Sequence, residues 1–410
     1  MDVLSVVQTI VELAAVLLLV RPVGGYLVGV FFKERSRLDA LFGPIERGLY
    51  WAVGVDPSKN MGVKRYVLSL LLVNGLMLVI VMLILVTQGY LPLNPTAAAN
   101  MPIDLAFNTA ASFTTNTNWQ SYAGETQVSY LSQMICMTFL MFTSAATGMA
   151  VGAAFIRGFA SRDQRPGFRE ITGIGNFYVD FVRSLTRVLV PFAMIVSILL
   201  LVQGVPQTLG GPLSYHTVEG SDSTLYRGPV ASLESIKHLG TNGGGFFAQN
   251  SAHPFENPTP LTNVIEIVAM LVIPISLLYA FGVMTGNTKQ GWILIGTLTT
   301  IFIVMLSIGL LAESSKPGSL EPCSEPVERK SGRQRGSIRH RELHDVHCDD
   351  DRNGDGIGEQ HDRQLHGDRR SRPALPPYDR LPFCRRRVRP SHCPYVRDTG
   401  RIHSRPDGRT

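Results

Sequence analysis

Uncharged apolar runs recur through the first three quarters of the chain, and they limit its possible folds more than any other feature. Residues 66–87 (YVLSLLLVNGLMLVIVMLILVT) and 292–312 (WILIGTLTTIFIVMLSIGLLA) contain no charged side chain. About 20 such residues in a helix cross the hydrocarbon core of a bilayer. Runs 132–156, 188–203 and 264–284 are nearly as apolar, each with a few polar interruptions. Run 4–20 carries Gln8 and Glu12. A cleaved signal peptide is the competing reading of that run. However, the chain opens Met1-Asp2 where a signal is basic, and no small-x-small cleavage site precedes Arg21. The run is therefore read as the first of six transmembrane helices. In lipid every backbone polar group needs an internal partner, so segments of this length are helices. The fold class expected is an all-α polytopic membrane protein.

Charge orients the spans. Segment 22–65 carries Lys33, Arg35, Arg37, Arg47, Lys59, Lys64 and Arg65, and 157–178 carries Arg157, Arg162, Arg165 and Arg169. The stretch 88–131 has no Lys or Arg, and 204–261 has only Arg227 and Lys237. Alternation of this kind places the basic loops in the cytoplasm. The N-terminus and stretches 88–131 and 204–261 are then expected outside. Asp180, Arg183 and Arg187 fall at the cytoplasmic mouth of span four, and Cys136 within a span reads as packing.

The two outer stretches are too long for turns and too apolar for free loops. Each holds a helix-competent segment too short to span, about 102–113 and 231–239, followed by a small polar run and an aromatic. Aligned, Thr115-Asn116-Thr117-Asn118-Trp119 corresponds to Thr241-Asn242-Gly243-Gly244-Gly245-Phe246, and Ser121–Thr126 to Ser251–Thr259, a spacing of about 126 residues. Span, short helix, polar loop and span make a pore-loop module. Non-helical backbone survives at membrane depth only where it is buried in protein or lines a wet cavity. Its carbonyl oxygens can replace the water shell of a potassium ion. Gly243, Gly244 and Gly245 permit positive φ, which lets successive carbonyls face one axis. Hydroxyl and amide oxygens of the Thr-Asn loop add ligands without fixed charge, and the negative ends of the short helices favour a cation. Trp119, Phe246 and Phe247 are expected to wedge the loops against the spans. Ordinary Asn/Gly turns are the competing reading of both loops. Gln120 and Glu125 around the first loop, and His253, Glu256 and Asn257 around the second, read equally as supports or as turn residues. Asn74, Asn263 and Glu266 lie in or near spans, with Glu266 close enough to the interface to face water.

NTNWQSYAGET (116–126), IKHLGTNGGGFFAQNSAHPFENPT (236–259) and YLPLNP (90–95) resemble the KdpA family, the potassium-binding subunits of bacterial ATP-driven potassium importers. The order of spans agrees over residues 1–320. The resemblance implies helix–pore loop–helix modules of the potassium channel and transporter superfamily, four around one axis, of which this chain carries about two. It implies a first filter at Thr115, Asn116, Thr117 and Asn118, and a second at Gly240, Thr241, Asn242, Gly243 and Gly244. Gln120 becomes a flanking position tied to selectivity, with Gly245 beside the second loop. Potassium is the implied ion. The implied partners are the P-type pump subunit KdpB, which hydrolyses ATP, together with KdpC, KdpF and the lipid bilayer. The bacterial inner membrane is the implied location. The expected organisation is a first helix with its basic loop (1–65), two pore-loop repeats (66–157 and 158–290), the first helix of a truncated third (291–320), and a tail (321–410).

That tail is a different text. It holds 20 of the 38 basic residues, 19 of them Arg, with 7 of the 10 His and 4 of the 5 Cys, and no apolar run of spanning length. A disordered basic tail that binds anionic lipid or nucleic acid is one reading. Asp351, Asn353, Asp355, Gly356 and Asp362 approach calcium-loop spacing, but Gly358 replaces the usual apolar residue. An out-of-frame stretch of a GC-rich gene explains the Arg, Pro, Gly and His abundance best, so the Arg-rich character carries no nucleic-acid function. The chain has no GxxxxGK[ST] and no DKTGT, so no nucleotide site and no enzyme activity of its own are expected. The alternatives are a stand-alone Trk/Ktr-type potassium transporter and an inert truncated membrane fragment.

Overall fold

A computed structural model describes residues 3–33, 38–160, 173–218 and 220–314. Met1, Asp2, Arg35, Arg37, Arg162, Arg165, Arg169 and the whole of 321–410, with its calcium-loop-like residues, lie outside them. Among the described residues, the helices longer than four residues are, in chain order, α1 (Val3–Phe31), α2 (Asp39–Val53), α3 (Val63–Thr87), α4 (Ile103–Thr114), α5 (Tyr130–Ala160), α6 (Phe177–Val202), α7 (Val230–Leu239), α8 (Pro260–Met284) and α9 (Thr288–Ser314). Among the described residues, six helices are long and apolar enough to cross a membrane: α1, α3, α5, α6, α8 and α9. α5 is the most buried of them, while α3 and α9 expose most of their surface. An apolar helix exposed in this way belongs in lipid or against other helices, not in water.

Two spans exceed their apolar runs. α1 continues through Arg21 and Pro22 to Phe31. Pro22 lacks an N–H, but neighbouring helices make such a break tolerable in a membrane helix, and α1 packs along α8. α6 begins at Phe177, so Asp180, Arg183 and Arg187 are helical. Part of segment 22–65, read as a loop, is α2. Its Glu46 accepts from Arg187 Nε at 2.7 Å, and Arg187 also pairs with Asp39. A small antiparallel hairpin, β1 (Leu213–His216) with β2 (Asp222–Leu225), adds to the helical fold in the second outer stretch.

At the basic end, Arg157 of α5 grips Asp180 of α6 with both guanidinium nitrogens, at 2.7 and 2.8 Å. The same guanidinium donates to Phe31 O at 2.8 Å and Ile174 O at 3.1 Å, and Tyr66 OH donates to Asp180 at 3.1 Å. One buried pair thus fastens α1, α3, α5 and α6. Removing one partner of such a pair strands the other charge, which costs about 3–5 kcal/mol. Arg157→Met is therefore expected to lower thermal stability in detergent by that amount. The double variant Arg157→Met/Asp180→Asn should recover most of the loss. If the single and double variants unfold at the wild-type temperature, the pair is not a structural fastening.

Candidate ion-binding site

α4 packs against α3 and α5, and α7 against α5, α6 and α8. Their boundaries, Ile103–Thr114 and Val230–Leu239, match the short segments read from sequence to within a residue. Both helices end in the same way. Thr115 N–H donates to Ala111 O, Asn116 N–H to Phe113 O and Thr117 N–H to Ser112 O. Gly240 N–H donates to Ile236 O, Thr241 N–H to His238 O and Asn242 N–H to Lys237 O, the same pattern 125 residues later. These are Schellman caps, in which a left-handed residue closes the helix by a six-to-one and a five-to-two bond. Asn116 (φ 65°) and Thr241 (φ 55°) occupy the left-handed position. Asn tolerates that conformation, whereas a β-branched residue there is strained and marks a position its surroundings over-determine.

This geometry corrects the alignment by one residue: Thr115 matches Gly240, and Asn116 matches Thr241. It also corrects the source of the turns. The left-handed positions are Asn116, Asn118, Thr241 and Gly244; Gly245 also has positive φ (159°), as expected, and Gly243 does not. At Gly244 (φ 70°) a Cβ would run into Gln120 Oε1 and lie 2.9 Å from Asn118 O, so the position admits only glycine.

The loops interlock. Asn116 Nδ2 donates to Gly240 O and Thr241 O, each at 3.2 Å. Its Oδ1 accepts from Ser144 Oγ of α5 at 2.7 Å, and Ser144 Oγ also lies 3.2 Å from Asn242 Oδ1. Gln120 bridges with both ends of its amide: Gly245 N–H donates to Oε1 at 2.8 Å, and Nε2 donates to Gly245 O at 3.0 Å. Gln133 Nε2 of α5 donates to Gly124 O and Phe246 O, both at 3.1 Å. All eleven candidates (Thr115, Asn116, Thr117, Asn118, Gln120, Gly240, Thr241, Asn242, Gly243, Gly244 and Gly245) therefore lie in one pair of touching turns. Thr115, Thr117 and Thr241 are exposed on it, and Asn118 is buried with neither amide atom partnered. Carbonyls and uncharged side-chain oxygens dominate the pair. Such oxygens suit a weakly hydrated monovalent ion, since none of the eleven side chains carries a fixed charge.

The aromatics divide. Phe246 and Phe247 are buried, with Phe247 stacked on His253 at 3.7 Å between centroids. Burial holds the His253 imidazole below its usual range, so this ring is neutral at pH 7. Trp119 does not wedge its loop; it is 76% exposed. The left-handed Asn118 reverses the chain, and Trp119 N–H is tied to Ser112 Oγ at 2.7 Å, which leaves the indole outside. Glu266 does not face water, being buried 3.2 Å from His238 Nε2. Asn74 is structural, bonded to Leu70 O and Thr147. Asn257 and Asn263 bond to each other at the start of α8. Cys136 is buried and free, as packing requires. Sequence reasoning passed over Ser112, Ser144, Gln133 and Asn250. A polar residue inside an otherwise apolar span was the available signal for Ser144 and Gln133.

The family model described as Potassium-transporting ATPase A subunit (KdpA) matches residues 10–337. A relative named potassium-transporting ATPase potassium-binding subunit, from Caldanaerobacter subterraneus subsp. tengcongensis, is 47% identical over 314 residues, covering 77% of this chain and 54% of that protein. Proteins of the same name are similar over comparable spans. That of Delftia acidovorans is 44% identical over 339 residues (82% of this chain, 57% of that protein). That of Granulibacter bethesdensis is 48% identical over 299 residues (73% and 51%). The chain spans about half the length of the curated relatives it matches, and neither the Trk/Ktr nor the inert-fragment alternative is favoured by them. A match that runs through every described span and both interlocked loops settles the relationship: the chain belongs to the KdpA family of potassium-transporting ATPase A subunits.

Proposed function

We propose that this chain supplies potassium-binding elements of an ATP-driven importer, with Thr115–Asn118 and Gly240–Gly244 as two arms of a selectivity filter. In this reading the loops dip into the bilayer from outside and strip water from potassium. The ion then passes to the P-type pump subunit KdpB, which hydrolyses ATP, in an assembly with KdpC and KdpF. The chain is non-catalytic, binds no nucleotide and no nucleic acid, and lies in the bacterial inner membrane with its N-terminus outside. The observation that carries the reading is the pairing of the two Schellman turns through Asn116, which gathers uncharged oxygens from both arms in one place. The relatives' names supply the ion and the kind of assembly.

Rubidium-86 binding to the chain in lipid nanodiscs tests it. Potassium is expected to displace rubidium at a concentration at least roughly tenfold below sodium, as carbonyl-lined sites discriminate. Equal displacement by the two ions, or no bound rubidium, overturns the reading.

A further inference from the structure

Behind the second loop, α7 and the chain returning to α8 bury an ionic network that the filter reading leaves unused. Glu234 and Lys237 are almost wholly shielded from solvent, and buried charges persist only when paired and hydrogen-bonded. Glu256 is equally shielded, and burial beside Glu234 pushes its carboxyl up to about 8. Lys237 Nζ lies 2.5 Å from Glu234 Oε2 and donates to Ser251 Oγ. Ser251 Oγ in turn donates to Glu234 Oε2 at 3.0 Å. Glu256 holds both ends of the same turn. Phe247 N–H donates to its Oε1 at 3.0 Å, and Ser251 N–H to its Oε2 at 3.1 Å.

The turn so clasped is strained. Ala248, Asn250 and Ser251 all adopt positive φ without being glycine, a state that lasts only where the surroundings enforce it. The turn reaches the filter directly, because Gly244 N–H donates to Asn250 Oδ1 at 2.6 Å. Gly245 also touches the network: a Cβ there would run into Glu256 Oε1 and lie 3.2 Å from Glu234 Oε1. Glu234, His238 and Glu266 place ligand atoms within 4.8 Å of one another, a spacing open to a metal ion. The Lys237 ammonium, 2.5 Å from Glu234 Oε2, already balances that carboxylate and would repel a metal ion beside it, which favours a clasp over a metal site.

We propose that Glu256 is a positioning residue for ion selectivity, holding the 247–251 turn so that Asn250 and Gly245 fix the spacing of the second arm's carbonyls, with Lys237–Glu234 anchoring the turn through Ser251. The inference rests on the filter reading and adds the element that sets its stiffness. The full chain in lipid nanodiscs tests it by amide hydrogen exchange and rubidium binding. Glu256→Gln keeps one acceptor oxygen. It is expected to speed exchange at Gly244, Phe247 and Ser251 at least tenfold while the spans stay protected. It should also raise the rubidium concentration at half-saturation at least tenfold and narrow potassium-over-sodium discrimination, with the number of sites unchanged. Ser251→Ala removes only the hydroxyl and is expected to shift the same readouts in the same direction, which keeps the test open if Glu256→Gln does not insert. Lys237→Arg should retain wild-type discrimination and Lys237→Met should lose it. Unchanged exchange in the Glu256 and Ser251 variants overturns the positioning role. Faster exchange with unchanged affinity and discrimination overturns the selectivity role. No rubidium bound by the unmodified chain overturns the filter reading and the selectivity role with it, independently of the exchange result.

Discussion

Gly244→Ala is expected to weaken rubidium binding by 30-fold or more, an order-of-magnitude figure that follows from two costs. An L-residue held at φ 70° loses roughly 1–2 kcal/mol against glycine. A methyl group forced against Gln120 Oε1 and Asn118 O adds about 1–3 kcal/mol of overpacking. The first loop must then retreat from the second, which separates the oxygens of the two arms. The neighbouring Gly243 makes the control. Its backbone is not left-handed, and its nearest foreign atom to a Cβ is Thr117 O at 3.3 Å. Gly243→Ala should therefore weaken binding far less. Equal losses at the two positions would mean that the turn geometry does not govern affinity.

The second large effect is expected at Gln120. Its amide satisfies both the N–H and the C=O of Gly245, which is buried. Gln120→Met keeps the volume and removes both bonds. The buried Gly245 N–H is left without a partner at about 1–3 kcal/mol, and the Gly245 carbonyl, which keeps the bond from Ala248 N–H at 3.3 Å, loses one bond at about 0.5–1.5 kcal/mol. Rubidium affinity should fall on the order of 100-fold, by the same arithmetic. Gln120→Glu retains the acceptor for Gly245 N–H and should lose less. Rubidium titrations of the two variants separate the cases. A Gln120→Met protein that binds as tightly as wild type would show that the bridge between loops is incidental.

Much of this fold is legible in the sequence because lipid leaves few options. The apolar runs locate the spans, and the two short helices are bounded by Pro102 and by the polar turns after Thr114 and Leu239. The extension of α1 past Arg21 and Pro22 is not legible, since it depends on packing along α8. The small β-hairpin lacks strong strand signals and is set by its own register. At the site, residue types identify both loops, but the correspondence is displaced by one position. Sequence aligns Thr with Thr, whereas the chain aligns helix caps with helix caps. Asn116 and Thr241 share a conformation without sharing a side chain, and that equivalence emerges only from the backbone bonds to Ser112 and Lys237. The roles of Ser144, Gln133 and Glu256 depend on contacts between segments about 100 residues or more apart for the first two, and on a strained turn for the third. Periodicity carries no trace of such contacts.

Anomalous scattering from thallium, a heavy stand-in for potassium, tests the central claim most directly when collected on the chain in a lipidic environment. The account predicts a thallium peak between segments 114–118 and 240–245, within coordination distance of carbonyl oxygens from both, that fades as potassium is added and persists in sodium. Thallium bound only elsewhere, or a peak at the loops that sodium removes as readily as potassium, would contradict it.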